Sequence, residues 1–68
     1  MSANNILIIK TCRIGWAVDE IDADTGKRIS VIATLPDLES AIRAAESYME
    51  DEEVEYGYRV ILPKRINK

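Results

Sequence analysis

One helix-period stripe stands in a chain whose other apolar residues follow the period of a strand. Leu38, Ala41, Ile42, Ala45 and Met49 recur at spacings of three and four, with Tyr48 on the border, which makes one face of a helix of about three to four turns apolar. A lone amphipathic helix has no second helix to pack against, so its stripe requires a sheet. Thr34 and Asp37 fit a capping box at its start, and Asp37 as the cap itself is the other reading. Pro36 falls where a missing N–H does no harm. The helix runs out in Glu50-Asp51-Glu52-Glu53, four acids where the macrodipole favours cations, and this predicts fraying.

The strands read from alternation. Ile6-Leu7-Ile8-Ile9 is too short for a helix and rich in β-branched residues, and Lys10 to Arg13 continue or turn it. Ile14, Trp16 and Val18 alternate with Gly15, Ala17 and Asp19, and Asp22 to Lys27 supply turn residues with Gly26 suited to positive φ. In the next strand Ile29, Val31 and Ala33 share one face and Ser30 and Thr34 the other, with Ile32 breaking the polar side. Val54, Tyr56, Tyr58, Val60 and Leu62 share a face of a last strand that Pro63 stops.

The expectation is one α+β domain over residues 1–68: a small, mostly antiparallel sheet of three to four strands, in β-ββ-α-β order, with one helix on one face. Residues 1–5 form a loose start and 63–68 a basic tail. Trp16, Val18, Ile29, Val31, Leu38, Ile42, Ala45, Met49, Tyr58 and Val60 form the expected core. At 68 residues, 47% hydrophobic and 31% charged, the chain builds a core, though a small one.

The residues exclude most chemistry. There is no histidine, and the one cysteine, Cys12, has no partner for a disulfide or a zinc site. Asp24-Thr25-Gly26 spells the triplet of aspartic proteases, but it sits at a hairpin tip and lacks the second aspartate such catalysis shares a proton with. Asp22, Asp24 and Gly26 echo the start of a calcium loop whose closing glutamate is absent. The three glycines are scattered, so no phosphate-binding loop forms. The reading is a protein that is not an enzyme, with no cofactor and no metal. No signal-peptide pattern or membrane-length apolar run appears, so a soluble, cytoplasmic protein is expected.

Charge is the informative feature. Residues 37–55 hold eight acids against Arg43 alone, whereas 56–68 hold Arg59, Lys64, Arg65 and Lys68 and no acid. Such segregation steers association with an oppositely charged partner. The expected partner is a protein with a basic surface, of the kind that holds nucleic acid. Tyr56, Tyr58 and Arg59 with Lys64 and Arg65 also sketch a single-strand clamp, but the net charge of −3 and the acidic helix oppose phosphate. A third reading is a homodimer joined through Ile32, Ile61 or an Ile6–Ile9 edge.

At Trp16-Ala17, at Glu20, at Leu38-Glu39-Ser40-Ala41-Ile42 with Ala45-Glu46, and at Arg59, the chain resembles the early RNA-polymerase inhibitors of short-tailed coliphages. The likeness spans residues 15–62. It implies a hairpin, one helix and a final strand, and a phage-encoded inhibitor that contacts the jaw of bacterial RNA polymerase. It also implies that Glu20, Glu39 and Glu46 belong to an acidic strip, with Arg59 as the basic contact. Where that family has a second arginine this chain has Ile61, Arg43 interrupts the acidic face, and Glu50, Asp51, Glu52 and Glu53 are additional. With Glu55 these acids complete the candidate docking edge; Arg59, Lys64 and Arg65 form its basic counterpart.

Overall fold

The computed structural model describes residues 4–63. Its elements follow in the order β1 (Asn5–Cys12), β2 (Gly15–Asp22), β3 (Arg28–Leu35), α1 (Leu38–Asp51) and β4 (Tyr58–Ile61). The sheet order is β3-β2-β1-β4, antiparallel except that β4 runs parallel to β1. The fold is therefore α+β, with α1 lying across one face and carrying the chain from one edge of the sheet to the other.

Local chemistry explains the element ends. The β1–β2 turn is made by Arg13 and Ile14, so Ile14 is a turn residue and not part of the β2 alternation. Gly15 follows at φ 148°, where a Cβ would run into the backbone of Leu35 and Pro36. At the β2–β3 turn Asp22 Oδ1 accepts from the amides of Asp24 (2.9 Å) and Thr25 (3.3 Å), and Gly26 at φ 77° donates to the Asp22 carbonyl. This is the expected hairpin tip. Asp37 is the N-cap of α1 through Ser40 N–H to Oδ1 at 2.8 Å, while Thr34 stays within β3.

Leu7, Ile9, Val18, Ala41 and Ala45 are fully buried between sheet and helix. Trp16, Ile32, Leu35, Leu38, Ile42, Tyr48, Met49, Val54 and Val60 pack around them. Three expectations about the core are corrected. Ile29 and Val31 are 56% and 51% exposed, because β3 carries two irregularities of register opposite Val18/Asp19 and Glu20/Ile21. Each inserts one unpaired residue, Ile32 and then Ile29, and a one-residue slip exchanges the faces of a strand. Ile32 consequently faces the helix and is not available as an outer contact. Leu7 and Ile9 anchor the core instead, since β1 is central and not an edge. The last strand is shorter than its alternation implies: Val54 to Gly57 form the connection from α1, with Gly57 at φ 73°, and Tyr56, Tyr58 and Leu62 are exposed.

Candidate functional site

The acidic edge is built by the last turn of α1 and the connection to β4. Glu46, Glu50, Asp51, Glu52, Glu53 and Glu55 are all exposed, and among the described residues none of them is in an ion pair. Glu52 N–H donates to the Tyr48 carbonyl at 2.8 Å and closes the helix in the middle of the acidic run. Glu39 lies on the exposed face near the helix start and pairs with Arg43 at 3.0 Å, so its charge is partly offset.

The connection is held by a residue that the sequence does not advertise. Asn5 is buried, and its side chain donates to Glu20 Oε2 (2.6 Å) and the Glu53 carbonyl (3.1 Å) and accepts from Glu55 N–H (2.9 Å). Its own carbonyl accepts from Tyr56 N–H, and Leu7 N–H donates to Gly57 O. Four of these hydrogen bonds seat the acidic segment on β1, and the fifth ties Asn5 to Glu20 in β2. Glu20 is half-buried in the same seam: Oε1 accepts from the Tyr48 hydroxyl at 2.8 Å while Oε2 is taken by Asn5. Both its oxygens are engaged within the fold, which sets it apart from the solvent-facing acids. The hydrogen bond to Glu20, aided by burial and by the charges of Glu20 and Glu52, raises the Tyr48 hydroxyl to a pKa of about 12.

Arg59, the described member of the basic counterpart, does not join this edge. Arg59 pairs in register with Ile8, whose neighbours Leu7 and Ile9 point into the core, so Arg59 stands on the sheet face opposite α1. Lys64 and Arg65 lie outside the described residues. That open face has its own polar centre. Asp19, 1% exposed, lies across from Ile8, with Lys10 Nζ at 3.5 Å and an Arg28 guanidinium nitrogen at 3.9 Å from Oδ2. Neither carboxylate oxygen has a hydrogen-bond donor.

Cys12 is exposed and unbridged, and Asp24-Thr25-Gly26 is confined to the β2–β3 turn. No helix among the described residues is long and apolar enough to cross a membrane. No family model, curated protein or solved structure matches the chain.

Proposed function

We propose that the protein is a non-enzymatic binding module that docks its acidic edge on a basic surface of another protein. The observation that carries this is the run Glu46, Glu50, Asp51, Glu52, Glu53 and Glu55: exposed, uncompensated among the described residues, and fixed in place through Asn5. A surface serving solubility alone needs mixed charges spread over the molecule; here the acids gather at the end of a helix that prefers cations there. A fixed block of one sign accelerates encounter with the opposite sign. The class of partner is a nucleic-acid machine with a phosphate-binding surface. The likeness to the coliphage inhibitors makes bacterial RNA polymerase the first to test, and makes this chain a phage or mobile-element inhibitor acting in the host cytoplasm.

The test is association with immobilised bacterial RNA polymerase, followed kinetically as salt rises. The Glu50→Gln, Glu53→Gln variant should melt at or above the parent temperature and bind more slowly, with the off-rate little changed. Binding of the parent should weaken as the Debye length falls from about 10 Å at 0.1 M to about 3 Å at 1 M. A variant that associates as fast as the parent returns the acidic run to a solvated helix end.

A further inference from the structure

We propose that the open face of the sheet is covered by a second copy of this chain, packed face to face about a two-fold axis that runs along the strands. Helix α1 covers only one face. On the other, the register aligns three rows across the sheet: Thr34–Ala17–Lys10–Ile61, Val31–Asp19–Ile8–Arg59, and Arg28–Ile21–Ile6. Six of these eleven positions are aliphatic. A sheet face left to water carries polar residues at alternate positions, whereas a strand covered on both sides reads as a continuous apolar run. Ile6-Leu7-Ile8-Ile9, in the central strand β1, is such a run.

The second observation is Asp19. It is buried at the middle of this face; Oδ2 is ion-paired with Lys10 (3.5 Å) and Arg28 (3.9 Å) without a hydrogen bond, and Oδ1 has no hydrogen-bond donor. Buried acceptors are nearly always satisfied. Arg59 stands at the far end of the same row and makes no ion pair among the described residues.

A two-fold axis along the strands reverses each row. It sets β1 of one copy over β2 of the other, and β4 over β3. Ile8 then lies above Asp19 of the partner subunit, and Arg59 lies above the partner's Val31, one strand from the partner's Asp19. Packed sheets are about 10 Å apart and adjacent strands about 4.8 Å, within the combined reach of the two side chains. The same contact occurs twice, as a closed isologous interface requires. The acidic edge belongs to the helix side, so the contact does not bring the two acidic edges together; the face itself carries Lys10, Arg28 and Arg59 against Asp19, and the dimer should therefore strengthen as salt screens these cations. An acidic partner protein would meet Lys10, Arg28 and Arg59 but would leave the isoleucines unused and set its own charge against Asp19. Three eight-residue strands span about 26 Å by about 14 Å. With β4 and side-chain relief this gives about 1,000 Å² buried over both copies, at the lower limit of specific interfaces, so association is expected at micromolar concentration.

Sedimentation velocity on the full chain, from about 1 to about 200 µM, tests this range. The mass should rise from 7.7 kDa towards twice that value. Ile8→Glu and, separately, Arg59→Glu should each raise the concentration of half-association at least about tenfold; the melting curve of the dilute monomer should stay unchanged for Arg59→Glu and fall for Ile8→Glu, which sets a carboxylate across from Asp19. Should Ile8→Glu fail to fold, Ile61→Glu at the exposed sheet edge replaces it. The Glu50→Gln, Glu53→Gln variant should dimerise like the parent, which separates this inference from the docking of the acidic edge. A chain that remains monomeric at about 200 µM overturns the proposal, as does a dimer indifferent to both the Ile8 or Ile61 and the Arg59 substitutions.

Discussion

Replacing Asn5 by alanine should destabilise the protein more than any surface change, although Asn5 falls within residues 1–5, which read as a loose start; in the structure it is buried and opens β1. The side chain makes three hydrogen bonds to groups remote in sequence: Glu20, the Glu53 carbonyl and the Glu55 amide. A net contribution of about 1 kcal/mol per bond gives a loss of about 2–3 kcal/mol, because the partners stay partly buried when the asparagine is gone. A chain of 68 residues has a total stability of only about 3–10 kcal/mol. The melting temperature should therefore fall by about 10–20 °C, at roughly 4–8 °C per kcal/mol for a domain of this size. Urea melts followed by far-UV circular dichroism read the free energy. Hydrogen exchange at the Glu55 amide reads the local event, and its protection should drop more than that of β2.

Asn5→Asp is the internal control. It keeps the acceptor for Glu55 N–H but replaces the amide nitrogen, 2.6 Å from Glu20 Oε2, with a second carboxylate oxygen. At pH 7 the two like charges should make this variant at least as unstable as Asn5→Ala. A loss of less than about 0.5 kcal/mol for Asn5→Ala, the scale of ordinary surface substitutions, refutes the reasoning. So does an Asn5→Asp variant that is more stable than Asn5→Ala at pH 7.

Gly15→Ala should cost at least about 2 kcal/mol, because the backbone there is at φ 148° and the new Cβ meets the Leu35 carbonyl and Pro36, which cannot swing aside as a side chain would; a thermal melt unchanged from the parent contradicts it. Tyr48→Phe should narrow the stability difference between neutral and alkaline solution. The native hydroxyl keeps its proton up to about pH 12, while an unfolded tyrosine loses it near pH 10. The contribution of Tyr48 is thus complete below about pH 10 and is lost as pH rises towards 12, and urea midpoints at pH 9 and pH 11.5 for parent and variant measure it.

The parts of this fold that were legible in the sequence are those fixed by near neighbours. The stripe from Leu38 to Met49 defines the buried side of α1, and the Asx geometry of Asp22 with Gly26 defines the hairpin tip, because each depends on residues within a few positions. The exposure of Glu50 to Glu55 followed from charge density alone. Distant partners were not legible. Asn5 acts on Glu20 and Glu53, 15 and 48 positions away, and Tyr48 acts on Glu20 from 28 positions away, so the seam that orders the acidic connection has no local signal. The faces of β3 were misread because alternation assumes an unbroken register. Two inserted residues moved Ile29 and Val31 outward and Ile32 inward without changing the composition of the strand. The limits of β4 were misread because Val54 and Tyr56 keep the rhythm of a strand while Gly57 bends the chain.

The same irregularities bear on how the molecule meets others. A long flat edge strand invites pairing with another chain, and natural sheets blunt their edges with bulges or short strands. Here β3 is one edge and carries two breaks of register, and β4, the other, is four residues long. The apolar run Ile6 to Ile9, which suggested an edge, is paired on both sides and has no backbone groups to offer. Association through strand addition is therefore disfavoured at either edge. What remains for contact are the two surfaces left rich in unmet interactions: the acidic end of α1, where charge is uncompensated among the described residues, and the open face, where isoleucines surround a carboxylate without a donor. They lie on opposite sides of the sheet, so a dimer joined by its open faces would present two acidic edges outward. Such a pair should bind an immobilised basic partner with greater avidity than the Ile8→Glu monomer, provided that the partner's sites are close enough to be engaged together.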